Sequence, residues 1–151
     1  MKNFFFLLFL TLFLSNCGFE KIYSGKNLNI SIKEIRKENN NINNELSKTL
    51  LGIFSENDSE KSITLDIKTK KTNEIKSKDS KGNPLVYVLR LETRIIATDL
   101  QEKKYKKTIT EEINYNNNDD KFALSQYINE IEKILIKETV REIISFLTDL
   151  K

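Results

Sequence analysis

The sequence predicts an α+β domain, a two-layer sandwich with two helices on one face of a four-stranded mixed or antiparallel sheet, in the order β-α-β-β-β-α. Three observations carry this. Four stretches alternate apolar and polar residues, the period of a half-buried strand. Two others repeat apolar residues every three or four positions, the period of an amphipathic helix. Behind an apolar leader, about 135 of the 151 residues remain, the size of one compact domain.

In the first strand Leu28, Ile30 and Ile32 alternate, and Ile35, out of phase with them, marks its end. The asparagines at 39–41 form a turn or helix entry, with Asn43 or Asn44 as the cap of the first helix. Ile42, Leu46, Leu50 and Ile53 share one helical face, widened by Leu51 and Phe54, which predicts a short helix over 43–54. Polar residues 55–61 connect it to a second strand marked by Ile63, Leu65 and Ile67, running past Lys71 toward Ile75.

The single proline, Pro84, closes a turn with Gly82 and Asn83. Leu85, Tyr87, Leu89, Leu91 and Ile95 then occupy one face of a long third strand, and Arg90, Glu92 and Arg94 charge the other. A hairpin over 98–103 leads to a fourth strand, with Tyr105, Ile109, Ile113 and Tyr115 on one face together with Lys107 and Glu111. Long neighbouring strands joined by polar turns predict antiparallel pairing. Asp119 and Asp120 suit a helix start, where the N-terminal dipole favours negative charge. From Lys121 to Leu150 there is no Gly or Pro, and apolar residues recur at helical spacing, which predicts one long C-terminal helix.

The leader sets the expected compartment. Met1-Lys2-Asn3 is a short positive start, and residues 4–14 are almost wholly Phe and Leu. That run of about 11 residues fits a signal-peptide core and falls short of the ~20 that span a bilayer. Leu14-Ser15-Asn16-Cys17 resembles the lipobox of exported lipoproteins, with Asn16 where Gly, Ala or Ser is usual. The reading is a signal peptide over 1–16, a lipidated tether over 17–26 and one domain over 27–151. Cys17 is the only cysteine, and as an N-acylated diacylglyceryl cysteine it would carry three acyl chains, where two already anchor stably.

Much chemistry is excluded by composition. The chain has no histidine, and lipid consumes its one thiol, which removes Ser-His, Cys-His and histidine-metal sites. The four glycines form no phosphate loop or dinucleotide fingerprint. Glu111-Glu112 lie on opposite faces of a strand, and Asp119-Asp120 are explained by helix capping. A non-enzyme is expected, with no cofactor or metal beyond the covalent lipid. The net charge of +3 is too small to argue for nucleic acid.

Basic residues remain. Lys68, Lys70, Lys71, Lys76, Lys78 and Lys81 run along the second strand into its turn, Arg90 and Arg94 lie on the third, and Lys103, Lys104, Lys106 and Lys107 load the next hairpin. They can be a solvated face, protection of strand edges against aggregation, or an anion-binding surface.

Cys17-Gly18-Phe19-Glu20-Lys21-Ile22-Tyr23 resembles the opening of the alphaproteobacterial-type LPS-assembly lipoproteins, the LptE family, with Lys21 where proline is usual and Ile22 where leucine is. Tyr115-Asn116, a polar loop and Phe122-Ala123 resemble that family's approach to its C-terminal helix, and the element order agrees across the chain. The resemblance implies a lipid anchor in the outer membrane facing the periplasm, and Gly18 in place of an inner-membrane-retaining Asp is compatible with it. It also implies a one-to-one partner, the LptD β-barrel, which the protein plugs and helps to assemble, and a role in delivering lipopolysaccharide (LPS) to the outer leaflet. In that family the turn between strands two and three is basic. Lys76, Lys78 and Lys81 are therefore the first candidates for LPS contact, and Lys103 and Lys104 the second. The other readings are an adaptor in another envelope machine, and a small periplasmic lipid carrier, which would need an enclosed apolar cavity.

Overall fold

The computed structural model describes residues 30–54 and 61–150, so the signal peptide, Cys17, the tether, Leu28 and most of the first helix-strand connection lie outside the described residues. The order is β1 (Ser31–Lys37), α1 (Asn41–Phe54), β2 (Ser62–Lys78), β3 (Pro84–Thr98), β4 (Lys104–Asn116) and α2 (Lys121–Thr148). The four strands form one sheet in sequence order, β1 parallel to β2 and the rest antiparallel. Both helices pack on one face, α1 over β1 and β2, α2 over β3 and β4, around a single core. This is the mixed-sheet α+β sandwich that the alternation predicted.

Two N-terminal details differ from the sequence reading. β1 does not stop at Ile35. The register with β2 jumps between Ile32 and Glu34, leaving Lys33 as the extra residue of a bulge. That resets the alternation, so Ile32 opposite Ile63 and Ile35 opposite Leu65 both pack against the core. The cap of α1 is Asn40, not Asn43 or Asn44: its Oδ1 accepts the Asn43 backbone N–H at 2.7 Å. Asn43 is instead fully buried in the first turn and donates its Nδ2 to the Glu38 carbonyl at 3.1 Å. Ile42, Leu46, Leu50 and Phe54 form the buried stripe of α1, while Leu51 is 43 % exposed and does not widen it.

β3 is the long axis. Its 15 residues span about 45 Å and are paired to β2 on one side and β4 on the other. Its inward stripe of Leu89, Leu91, Thr93, Ile95 and Ala97 is buried. α2, 28 residues and about 42 Å long, matches that length and caps its start with Asp120, which accepts the Phe122 and Ala123 N–H groups at 3.0 Å. The 14 residues of α1 reach only about 21 Å. β1 pairs with β2 no further than Ile67, so the distal half of β2 has a free edge. There Ile75 is 46 % exposed and Leu85 of β3 49 %, because α1 starts level with the end of β1 and runs back toward Ser62, away from them.

Both hairpins use one turn design. In residues 79–83, Asp79 Oδ1 accepts the N–H groups of Lys81 and Asn83, each at 2.8 Å, and Gly82 takes a positive φ of 88°. In residues 99–103, Asp99 Oδ1 accepts those of Gln101 and Lys103, each at 2.9 Å, and Glu102 takes φ 63°. Glycine adopts that left-handed conformation freely, and glutamate holds it at a cost of order 1 kcal/mol.

One polar pair sits inside the core. Thr69 and Thr93 are register partners on β2 and β3, both buried, with hydroxyls 3.0 Å apart. Removing one hydroxyl strands the other without a partner, which costs more than removing both. In urea unfolding, Thr93→Val is expected to lose about 1–2 kcal/mol, and Thr69→Val with Thr93→Val together less than the sum of the two single changes. Strictly additive losses would show that the hydroxyl pair contributes nothing.

Candidate functional site

The charged outer face of the sheet is largely self-neutralised. Arg90 of β3 pairs with Glu112 of β4 at 2.9 Å, Arg94 with Glu92 at 2.9 Å, and Lys68 with Glu38. Lys71 and Lys107 lie on the helix side, where they reach Glu132 and Glu142 of α2. Among the described residues, Lys70, Lys78, Lys81, Lys104 and Lys106 have no such partner. On β2 to β4 the lysines free to meet an external anion thus lie toward the two ends of the sheet, with Lys70 between them; Lys33 of β1, Lys48 of α1 and Lys137 of α2 are likewise without an ion pair.

These ends do not meet. Lys76, Lys78 and Lys81 surround the β2–β3 turn, and Lys103 and Lys104 the β3–β4 turn, with the whole of β3 between them, about 45 Å. The two sets of candidates are separate basic patches and cannot bind one small ligand together.

At the β2–β3 end, the register shifts around Ser77, and Lys76 is the extra residue between Ile75 and Ser77. Its Nζ crosses the outer face to donate to Asn114 Oδ1 at 3.0 Å. Lys78 and Lys81 are exposed. The Asn83 side-chain amide and the turn N–H groups hold the Asp79 carboxyl below its usual range, so it stays ionised and spent on the turn. On the helix side of this end lies a cluster the sequence did not announce. The Tyr87 and Tyr115 rings stack at 5.4 Å, and Tyr115 and Asn73 exchange hydrogen bonds at 2.7 and 3.0 Å, beside half-exposed Ile75 and Leu85. Cationic groups thus border apolar surface.

At the β3–β4 end, Lys103 lies 4.8 Å above the Tyr105 ring, and a hydrogen bond to Tyr105 raises its pKa. An open concavity of about 400 Å³ is lined by Ile30, Ile63, Leu100, Tyr105 and Leu150 and by the polar groups of Lys61, Asp99 and Gln101. It is open to solvent and mixed in character, unlike the enclosed apolar cavity a lipid carrier needs. Ile30, the first described residue, lies here, so the chain from Cys17 enters at this end. Leu100 at the turn tip is 67 % exposed. The only sequence signal for it was a leucine inside an otherwise polar turn.

Acidic pairs behave as their spacing implied. Glu112 faces outward to Arg90, and Glu111 faces α2. Among the described residues, no three His, Cys, Asp or Glu side chains converge as a metal site, and no helix is long and apolar enough to cross a membrane.

Comparison with solved structures identifies the fold. Rare lipoprotein B of Shewanella oneidensis superposes with a TM-score of 0.59 at 14 % identity, over 78 % of this chain and 92 % of that one. The minor lipoprotein of Acinetobacter baumannii gives 0.58 at 16 % identity, over 84 % and 92 %. Lipoprotein B of Nitrosomonas europaea gives 0.55 at 14 %, over 84 % and 88 %. The chain has the fold of these bacterial lipoproteins. No family model matches its sequence, and no curated protein does. At such low identity the likeness lies in the β-α-β-β-β-α sandwich itself.

Glu111 gives a pH test of the β4–α2 interface. Burial first, then the charges of Glu142 and Glu138, raise its pKa in the folded state. Its ionised form therefore costs stability at neutral pH, and the cost disappears as pH falls through the raised folded value to the unfolded one near ~4.3. Glu111→Gln is expected to be more stable than the parent at pH 7, with the difference closing below about pH 4 in chemical denaturation. A difference independent of pH would contradict the burial account.

Proposed function

We propose that this chain is a non-enzymatic LPS-assembly lipoprotein of the LptE family, anchored through lipid on Cys17 to the periplasmic face of the outer membrane. In this reading it plugs an LptD-type β-barrel, assists its assembly and helps deliver LPS to the outer leaflet. The observation that carries the reading is the sandwich shared with rare lipoprotein B, whose fold is that of the LptE family, joined to an N-terminal sequence that resembles the family's opening.

The geometry supports it in a second way. Ile30, the first described residue, lies at the β3–β4 end, and the β2–β3 turn lies the length of β3 away. With lipid on Cys17, the β3–β4 end would lie nearest the attachment point, and Lys76, Lys78 and Lys81 at the far end of β3. Lipid A is an amphiphile with phosphates beside acyl chains, and three lysines with no carboxylate partner, near half-exposed Ile75 and Leu85, fit both parts. The ion-paired middle of the sheet offers an anion little by comparison, since its cations are already matched. An adaptor in another envelope machine would share fold and anchor and differ in lacking LPS affinity.

Charge reversal separates the ends. Lys76→Glu, Lys78→Glu and Lys81→Glu together are expected to weaken LPS binding by the purified mature protein at least about tenfold, at about 1 kcal/mol per lysine near an anionic surface. Lys103→Glu with Lys104→Glu should change it far less. Unchanged binding in the triple variant, with the thermal unfolding of the parent retained, would remove the β2–β3 turn as the LPS site.

A further inference from the structure

The two hairpin turns are built alike, and their differences are informative. Asp79 matches Asp99, Ser80 matches Leu100, Lys81 matches Gln101, and Gly82 matches Glu102. The first turn shows that the design works with serine at its second position and glycine at its fourth. The second places a leucine, 67 % exposed, at the tip and holds a glutamate in the left-handed conformation. Neither choice is needed to close the turn, since Asp99 satisfies the backbone N–H groups in the same way. Leu100 forms part of the rim of the concavity lined by Ile30, Ile63, Tyr105 and Leu150, and two thirds of it still faces solvent, so apolar surface is continuous from the concavity to the tip.

Its surroundings say what the surface meets. Lys103 and Lys104 come directly after the turn and are exposed, Lys106 projects from the outer face two residues further, and Tyr105 offers a ring with a polar tip beneath Lys103. A leucine leading a small set of lysines around a tyrosine suits the boundary between acyl chains and anionic headgroups. The chain itself supplies the partner. About 13 residues separate Cys17 from Ile30 at this same end, an extended reach of at most about 45 Å. With lipid on Cys17, that short link keeps this end near a bilayer, at an effective concentration that makes weak contacts count.

We propose that the β3–β4 end is a membrane-docking surface, on which Leu100 enters an anionic phospholipid bilayer while Lys103, Lys104 and Lys106 meet its headgroups. The proposal rests on the lipid-anchor reading for its orientation and is independent of LPS binding. It fixes the posture of the free lipoprotein: sheet axis raised from the membrane, β2–β3 turn outermost, and the LPS candidates presented to an incoming barrel or lipid.

The test uses the full mature chain, extracted from membranes and reconstituted into vesicles of phosphatidylethanolamine and phosphatidylglycerol. Gln101→Cys or Ser80→Cys carries an environment-sensitive fluorophore, and brominated phospholipid serves as the quencher. The probe at position 101 is expected to shift to the blue and be quenched, and the probe at position 80 to stay aqueous. Leu100→Glu should lower the quenched fraction at position 101 at least about tenfold, while the chain still floats with the vesicles. Aqueous emission at position 101 in a floating chain overturns docking and leaves the anchor standing. So does a signal that survives Leu100→Glu, or equal quenching at both positions. A chain whose mass shows no lipid, yet whose position 101 enters the vesicles, overturns the anchor and keeps the docking surface. One that neither floats nor shifts overturns both.

Discussion

β3 is hydrogen-bonded along both edges, and its inward side chains from Leu89 to Ala97 have no solvent to face. Each neighbour takes its place from that strand. β2 and β4 pair to it on either side, and α2 lies along β3 and β4 with a length to match. Apolar burial of this continuous stripe is the interaction on which the sandwich depends, because a half-buried sheet is stable only with a helical layer over it. The same strand sets the distance between the two turns. A core requirement therefore also fixes how far Ile30 and the β3–β4 turn lie from the β2–β3 lysines.

The fold was legible because period and layer agree. Tyr87, Leu89, Leu91 and Ile95 do lie on one face, Leu85 falls at a register shift and is half exposed, and α2 carries its apolar residues at the expected spacing. Local exceptions arose where a tertiary partner was missing or a bulge intervened. The Lys33 bulge put Ile35 back in phase with the core, which periodicity reads as a strand end. Asn40 rather than a later asparagine capped α1, since several adjacent asparagines offer the same chemistry. Leu51, Ile75 and Leu85 look like core residues in the sequence and are half exposed, and for the last two the reason is that β1 and α1 cover only the Ser62 half of β2.

The candidate site was less legible than the fold. Sequence shows which residues are lysines and arginines, while their pairing depends on residues far away in the chain. Arg90 meets Glu112 across a strand pair, and Lys107 meets Glu142 across the sheet-helix interface. Once those pairs are formed, the long run of cations resolves into two ends and a middle neutralised except at Lys70. Leu100 and Glu102 became informative only when the two turns could be laid beside each other, because neither sequence alone reveals a shared Asp-led design.

The described domain has a polarity: the end where Ile30 lies, a central strand paired on both edges, and a cationic, partly apolar far end; the proposed reading adds a lipid anchor on the side of the first. The most direct measurement is to isolate the mature protein from native outer membrane in mild detergent and determine the identity and stoichiometry of its companions. The account predicts one β-barrel of the LPS-export type per copy. A different partner, or none under conditions that preserve other barrel complexes, would contradict it.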